Sequence, residues 1–319
     1  MNPLISIIIP CKDIDPQTSE CIQKCKELDY DNFEIIVLPD HEHSILPNVK
    51  IVATGEVSPG KKRNLGEKNS TGEFLAFIDS DAYPQKEWLK NAMRYFNDSD
   101  IAAVGGPGIT PDEDSILQKA GGYVLSSFMM GGLSNRFRLG KSILSKDIHS
   151  CNFIARRSII EKIGGWNEKY WPGEDTLICL NIEKAGKKML ESADVVVYHH
   201  RRPLFTRHIK QVSRFGMHRG FFAKRFPETS FRFNYFIPSI LVVFMLIGSV
   251  FSFIEKSFLT YFIYIFGIYL LAALAASVLT SADGKDIRLM PLVFAGTIVT
   301  HFIYGIYFIA GLLSSELER

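Results

Sequence analysis

Two acids, Asp79 and Asp81, follow directly after an apolar run and have the clearest chemical potential in the chain. The run Phe74–Ile78 predicts a short buried strand. Residues two apart in an extended chain point to the same side, so the two carboxylates would repel each other unless a cation neutralised them. Mg²⁺ and Mn²⁺ favour carboxylate, water and phosphate oxygens. The spacing therefore predicts a metal–diphosphate site, and the alternative is an Asp-Ser-Asp turn.

Strand and helix patterns alternate around this acid pair and predict the sheet that positions it. Further strands are expected at Leu4–Ile9, Phe33–Leu38 and Ile101–Val104, and helices at Gln17–Leu28, Lys61–Asn69 and Lys86–Phe96. This alternation indicates an α/β fold with a mostly parallel sheet covered on both faces. Ligands of such sheets bind beyond the carboxyl ends of the strands, where Pro10, Lys12, Asp40 and the acid pair are expected. No Gly-x-Gly-x-x-Gly fingerprint follows the first strand.

The last third of the 319-residue chain changes character and predicts membrane insertion. Three apolar stretches, about 235–254, 258–280 and 289–313, are each long enough to cross a bilayer as a helix. The Lys- and Arg-rich segment before them belongs in the cytoplasm by the positive-inside rule, and no signal-peptide pattern opens the chain. We therefore expect an integral plasma-membrane protein with a cytoplasmic first domain and its acidic tail on the far side. The five cysteines lack zinc-type spacing and fit a reducing compartment.

Between these two parts lies a basic, aromatic segment, residues 199–233, so that the predicted domains are 1–198, 199–233 and 234–319. The segment carries nine Lys and Arg residues against the lone acid Glu228. Nucleic-acid binding is one reading of this composition, but the position directly before an apolar stretch favours an amphipathic helix on anionic membrane lipids. His199, His200 and His208 are expected to meet lipid phosphate, with metal chelation as the alternative.

The order of these residues resembles the family 2 glycosyltransferases, inverting enzymes with a GT-A fold that use nucleotide sugars. The resemblance covers about residues 4–215 and rests on the opening strand with Pro10, Gly60–Gly66 (similar to a segment ending in Arg-Asn-x-Gly), Asp79-Ser80-Asp81 (Asp-x-Asp), and Gly173–Thr176 (the acceptor-side Glu-Asp motif). Gln211-Val212-Ser213-Arg214-Phe215 resembles the Gln-x-x-Arg-Trp element of membrane polysaccharide synthases, with Phe replacing Trp. The chain departs from the family where a single acid, Asp40, follows the second strand instead of two.

The resemblance implies a role for each matching residue. Asp175 would be the general base with Glu174 beside it, and Asp81, with Asp79, would hold Mg²⁺ or Mn²⁺. The nucleotide-binding residues would be Pro10, Lys12, Asp40, Lys62, Arg63 and Asp79, and the acceptor or diphosphate residues would be Gln211, Arg214, Phe215 and Trp166. The alternative for Glu174 and Asp175 is that they are acids favoured at a helix N-terminus. Trp166 and Trp171 flank them and would stack on a sugar ring or lipid, or pack in the core.

The function that follows is a membrane-bound, inverting glycosyltransferase of cell-surface polysaccharide or glycan assembly. Its donor is a nucleotide sugar, with UDP-sugar favoured over GDP-sugar, and its acceptor is polyprenyl-linked at the cytoplasmic leaflet. The alternatives are a polyprenyl-phosphate glycosyltransferase, a processive polysaccharide synthase, and a non-catalytic nucleotide-sugar-binding membrane subunit. No nucleic acid is expected as a partner.

Overall fold

A computed structural model describes residues 2–317, with the backbone alone for residues 131–135. Contacts divide the chain into two compact units. The first comprises the chain up to Pro111 together with Asn135–His200, and the second comprises Asp112–Ser134 and the chain from Arg201 onward. The domain boundaries expected from sequence stay a prediction, and Asp112–Ser134 lies in the second unit rather than with the residues that flank it.

The first unit is built on one large sheet. Its strands are β1 (Ile5–Pro10), β2 (Phe33–Leu38), β3 (Lys50–Ile51), β4 (Phe74–Phe77), β6 (Ile101–Gly105), β8 (Ile143–Ser145), β9 (Phe153–Arg156) and β10 (Lys188–Glu191). They are ordered β3-β2-β1-β4-β9-β6-β10-β8. β1 pairs in parallel with β2 and β4, whereas β9 runs antiparallel to both of its neighbours. The sheet is mostly parallel, which confirms the predicted fold class, and every residue of β1 is buried because helices cover both faces.

Five helices of the first unit pack on this sheet, and α2 carries residues of the site. The helices are α1 (Pro16–Lys26), α2 (Pro59–Lys68), α3 (Trp88–Tyr95), α5 (Arg157–Ile163) and α6 (Glu174–Lys184), and a 3₁₀ turn covers Ser150–Asn152. Ser58 caps α2 by accepting from the Lys61 amide, and Pro59 occupies the first helical position, where no amide hydrogen is needed. Gly66 lets α2 approach the sheet, since a Cβ there would lie 2.5 Å from Ile8 Cγ2.

A small second sheet brings the end of the first unit beside the acid pair. It contains β5 (Ala82–Pro84), β7 (Gly108–Ile109) and β11 (Val197–His199), in the order β5-β11-β7. β11 runs antiparallel to β5 with His199 opposite Ala82. Because Asp81 directly precedes Ala82, this register places His199 next to Asp81.

The second unit contains the apolar helices. Its helices are α4 (Ile116–Ser126), α7 (Arg207–Arg225), α8 (Pro227–Ser230), α9 (Phe233–Ile254), α10 (Lys256–Asp283) and α11 (Leu289–Leu313), with a 3₁₀ segment at Phe128–Phe137 that runs into the first unit. Three of them, α9, α10 and α11, are long and apolar enough to cross a membrane, as the sequence predicted.

The basic helix α7 runs side by side with α11 and in the same direction. Gly220 allows this approach, because a Cβ there would lie 2.0 Å from the Phe308 carbonyl oxygen. His208, near the start of α7, is buried and its Nε2 lies 2.9 Å from Thr300 Oγ1. The expectation that His208 meets lipid phosphate was therefore wrong, since its imidazole is enclosed by protein.

Candidate functional site

Asp79 and Asp81 lie just beyond the carboxyl end of β4, where a parallel sheet presents ligands. The chain is not extended there, because the Ala82 amide donates to the Asp79 carbonyl oxygen at 3.0 Å and closes a turn. The argument that an extended chain would point both carboxylates to the same side was therefore wrong. The turn nevertheless gathers Asp79, Asp81 and His199, whose ligand atoms all lie within 4.8 Å of one another.

His199 completes this acidic cluster, and its Nε2 lies 3.1 Å from Asp81 Oδ1. The expectation that His199 meets lipid phosphate was wrong, and the chelation alternative is the one that its position favours. His200 also points into protein, with Nε2 3.0 Å from Glu20 Oε2. One sequence signal could have placed His199 at the site. The apolar run Val195–Tyr198 ends directly before His199, just as the apolar run Phe74–Ile78 ends directly before Asp79.

Arg63 links the acid cluster to the Glu-Asp motif. Its guanidinium donates to Asp79 Oδ1 at 2.8 Å and to Glu174 Oε1 at 2.9 Å. A third hydrogen bond reaches Ser150 Oγ at 3.0 Å, and Ser150 was not foreseen from sequence. Arg63 is only 2% exposed. Arg63 thus positions two acids, and the nucleotide contact expected for it stays a prediction.

Glu174 and Asp175 open α6, where the helix dipole favours carboxylates. Glu174 is buried, and that burial raises the pKa of its carboxyl, while Arg63 acts in the opposite direction and Asp175 adds to the rise. Asp175 is half-buried, and its Oδ1 accepts from the Thr176 amide at 2.7 Å. One carboxylate oxygen of Asp175 is thus oriented by the backbone, as a proton acceptor requires.

Asp40 lies after β2 and is held by a buried lysine. Lys62 Nζ donates to Asp40 Oδ1 at 2.5 Å and to the carbonyl oxygens of Cys11 and Leu38 at 2.7 Å and 3.1 Å. These three bonds use all three ammonium hydrogens and fix Asp40. The nucleotide contact expected for Lys62 stays a prediction. Lys12 keeps an exposed side chain beside this group, and Pro10 is buried at the end of β1.

The two tryptophans near α6 have opposite environments. Trp166 is 2% exposed, packs on Phe77 and Phe153, and lies under Arg63, whose Cζ is 4.8 Å from the ring centre. The acceptor contact expected for Trp166 is ruled out by this burial, and core packing was the correct alternative. Trp171, in contrast, is 49% exposed.

Gln211, Arg214 and Phe215 belong to α7 of the second unit, whereas the acids described above all belong to the first. The Arg214 and Phe215 side chains are exposed and Gln211 is half-buried. Their expected role with the acceptor or diphosphate stays a prediction.

Comparisons with known proteins identify a family and a fold. Residues 6–164 match the family described as "Glycosyl transferase family 2". The pre-mycofactocin glycosyltransferase of Mycobacterium tuberculosis is 31% identical over 147 residues, which are 46% of this chain and 31% of that protein. The chain thus spans about a third of the length of those relatives. A Methanococcus voltae enzyme, dolichyl N-acetyl-alpha-D-glucosaminyl phosphate 3-beta-D-2,3-diacetamido-2,3-dideoxy-beta-D-glucuronosyltransferase, is 23% identical over 272 residues, covering 76% of this chain and 83% of that enzyme.

A solved structure shares the architecture. The mannosyltransferase PcManGT from Pyrobaculum calidifontis, in complex with GDP-Man and Mn²⁺, has a TM-score of 0.59 and 17% identity. The match covers 99% of this chain and 89% of that one, and it shows the GT-A fold. With its ordered motifs, its sheet and the match over residues 6–164, the chain belongs to glycosyl transferase family 2.

Proposed function

We propose that the protein is a membrane-anchored, metal-dependent, inverting glycosyltransferase that moves a sugar from a nucleotide-sugar donor to a lipid-linked acceptor. The observation that carries this proposal is the grouping of Asp79, Asp81 and His199 beside Arg63, which also binds Glu174 next to Asp175. One cluster suits a diphosphate leaving group and the other suits an acceptor hydroxyl.

The reaction is a single displacement at the anomeric carbon of the donor sugar. The acceptor oxygen forms its bond to that carbon on the face opposite the departing nucleoside diphosphate, so the configuration inverts. Asp175 takes the proton of the acceptor hydroxyl as the new bond forms. A positioned base of this kind typically contributes about 10²–10⁴-fold in rate.

The residues at the strand end fit a divalent cation, because two carboxylates and one imidazole converge there and such groups are ligands that Mg²⁺ or Mn²⁺ accept. Asp79, Asp81 and His199 would hold Mg²⁺ or Mn²⁺, which stabilises the negative charge of the departing diphosphate. Arg63 keeps Asp79 in place for this task, and Lys62 keeps Asp40 in place where we propose that the nucleobase binds.

Three further observations support the proposed lipid-linked acceptor and nucleotide-sugar donor. Three helices are long and apolar enough to anchor the chain in a bilayer. The name of the Methanococcus voltae relative specifies a dolichyl-linked acceptor for that enzyme. The solved neighbour carries GDP-Man, so GDP-sugars and UDP-sugars both belong in the first donor screen. We place the catalytic residues on the cytoplasmic side, where nucleotide sugars are made.

The test is transfer activity of the full chain in nanodiscs with a panel of UDP- and GDP-sugars, lipid-linked acceptors, and Mg²⁺ or Mn²⁺. We expect Asp175→Asn to lower kcat by about 10²–10⁴-fold because it removes the base. Asp81→Ala should abolish the response of activity to added metal. Asp100→Asn is the matched control. Asp100 is an exposed acid at the amino end of β6, whereas the acid pair lies beyond the carboxyl end of β4.

Full activity in both Asp81→Ala and Asp175→Asn would overturn the mechanism. Wild-type protein that binds a nucleotide sugar but transfers it to none of the acceptors would instead support the non-catalytic, nucleotide-sugar-binding subunit.

A further inference from the structure

The third apolar helix, α11, is enclosed by protein to a greater extent than α9 and α10. In the most apolar stretch of each helix, 39% of α11 is buried, against 17% of α9 and 17% of α10. α4 packs against the first half of α11 through Ala120 and Val124, and the basic helix α7 lies along its second half. Length and composition predict that α11 crosses a membrane, but they do not report these neighbours.

The other two apolar helices, α9 and α10, form an antiparallel hairpin that turns at Glu255. The Phe244 and Phe262 rings stack with their centroids 5.3 Å apart, and nearer the turn the Phe251 and Phe258 centroids are 5.6 Å apart. With 22 and 28 residues, both helices are long enough to cross the roughly 30 Å of bilayer hydrocarbon. The start of α9 and the end of α10 therefore belong at one membrane face.

Both ends of α11 lie at the face where this hairpin begins and ends. Its first residue, Leu289, follows Asp283, the last residue of α10, after a loop of five residues. Near its other end, Phe308 packs against Tyr235 and Phe236 in the first turn of α9, with 4.8 Å between the Phe236 and Phe308 ring centroids. A helix that crosses a bilayer has its ends at opposite faces, so these contacts place α11 along one face.

The charges of α7 also exclude the centre of a bilayer as the position of α11. His208 Nε2 lies 2.9 Å from Thr300 Oγ1, and Thr300 is next to the midpoint of α11. Arg207 and Lys210 are close to His208 on α7, and both are exposed. If α11 crossed, these two cations would face hydrocarbon near the bilayer centre, where each would lower the insertion equilibrium by about 100-fold.

The other end of α7 carries exposed cations as well. Lys224 Nζ donates to the carbonyl oxygen of Ser314, the residue after α11, and both Lys224 and Arg225 are exposed. α7 thus runs beside α11 from Thr300 to Ser314 with cations at both of its ends. An interfacial position supplies what these cations need, because the head groups of anionic lipids are negatively charged.

We propose that α7 and α11 form a platform in the membrane–water interface, in which α11 lies along the membrane surface instead of crossing it. The partner of this platform is the lipid surface. The exposed apolar side chains of α11 enter the upper acyl chains, and the cations of α7 contact anionic head groups. The residues after Ser314 then lie on the same side as the loop between α10 and α11. The inference rests on the membrane anchoring in the proposed function and not on the transfer reaction.

Cysteine labelling at both ends of α11 tests its position. Ile287→Cys precedes α11 and Ser315→Cys follows it, and both residues are exposed. Lys256→Cys, at the first residue of α10, marks the tip of the hairpin. In intact cells we expect an impermeant maleimide to label Lys256→Cys and to reach the other two cysteines only after permeabilisation. The five native cysteines are buried and give a low background.

A matched pair of lysine substitutions tests the lipid environment without a label. Ile306 on α11 and Leu246 near the middle of α9 are apolar side chains that are 48% and 64% exposed. Leu246→Lys puts a charge into hydrocarbon and should lower the insertion equilibrium by about 100-fold. Ile306→Lys should leave the carbonate-resistant membrane fraction within about twofold of wild type, because its ammonium reaches the head groups.

Labelling of Ile287→Cys and Ser315→Cys from opposite sides would overturn the inference and leave the proposed anchoring intact. An Ile306→Lys protein that is lost from the membrane as completely as Leu246→Lys would overturn it too. If Lys256→Cys is labelled from the same side as Ile287→Cys, the hairpin does not cross, and the inference fails together with the anchoring.

Discussion

Arg63 connects two acids of the site, and its removal would leave both without their cation. Arg63→Met should lower the free energy of unfolding by about 3–5 kcal/mol, because it leaves the buried Glu174 carboxylate unpaired. The double variant Arg63→Met/Glu174→Gln should recover part of this loss, since it also removes the buried charge. Thermal and denaturant unfolding of the four proteins in one detergent measures the coupling.

If the free energy of unfolding that the double variant loses equals the sum of the losses in Arg63→Met and Glu174→Gln, this role of Arg63 is contradicted. Transfer activity should stay low even where stability recovers, because Asp79 still lacks the guanidinium that holds it. A stable and active Arg63→Met protein would show that the two acids are positioned by other contacts.

At the residue scale, the acids were predictable from sequence and their partners were not. Asp79 and Asp81 stand out because carboxylates after an apolar run are uncommon in a buried sheet. Ser150 and His199 reach the site from distant parts of the chain, through a 3₁₀ turn and through β11. Trp166 and Trp171 share one loop, and only the packing of Phe77 and Phe153 against Trp166 decides which of them is buried.

At the element scale, the four strands and three helices expected up to Val104 lie within a few residues of β1, β2, β4, β6, α1, α2 and α3. The antiparallel β9 between β4 and β6 was not predictable, because its apolar residues would fit a parallel strand equally well. The close contact of α7 with α11 was also missed. A basic amphipathic pattern describes the exposed face of α7, whereas its glycines, which permit the contact, carry no hydrophobic signal.

The contact between α7 and α11 should weaken in acid because of His208. Burial lowers the pKa of His208 from 6.5 to about 4. The unfolded chain therefore binds the proton first as the pH falls, and the free energy of unfolding should decrease by up to about 3 kcal/mol between pH 6.5 and 4. His208→Asn should lose this part of the pH dependence. Unfolding of both proteins across that range checks the prediction, and parallel pH profiles would contradict it.

At the scale of the whole molecule, the chain leaves its first unit at Asp112 and returns to it at Asn135. Residues 112–134 thereby add α4 to the unit that contains the apolar helices, with Ala120 and Val124 packed against Leu289 and Val293. The composition of this insertion is unremarkable for a soluble protein. Its assignment depends on contacts with residues more than 150 positions away, which no local pattern reports.

The apolar helices and the basic segment before them lead to a testable topology in which α9 and α10 cross the bilayer as a hairpin and the first unit is cytoplasmic. All five native cysteines are buried, so introduced cysteines can be labelled over a low background. In intact cells a membrane-impermeant maleimide should label Lys256→Cys, at the first residue of α10. It should reach Ile45→Cys and Ile287→Cys, 94% and 72% exposed, only after permeabilisation. Labelling of Ile45→Cys in intact cells would place the first unit outside, and protection of Lys256→Cys would show that the hairpin does not cross.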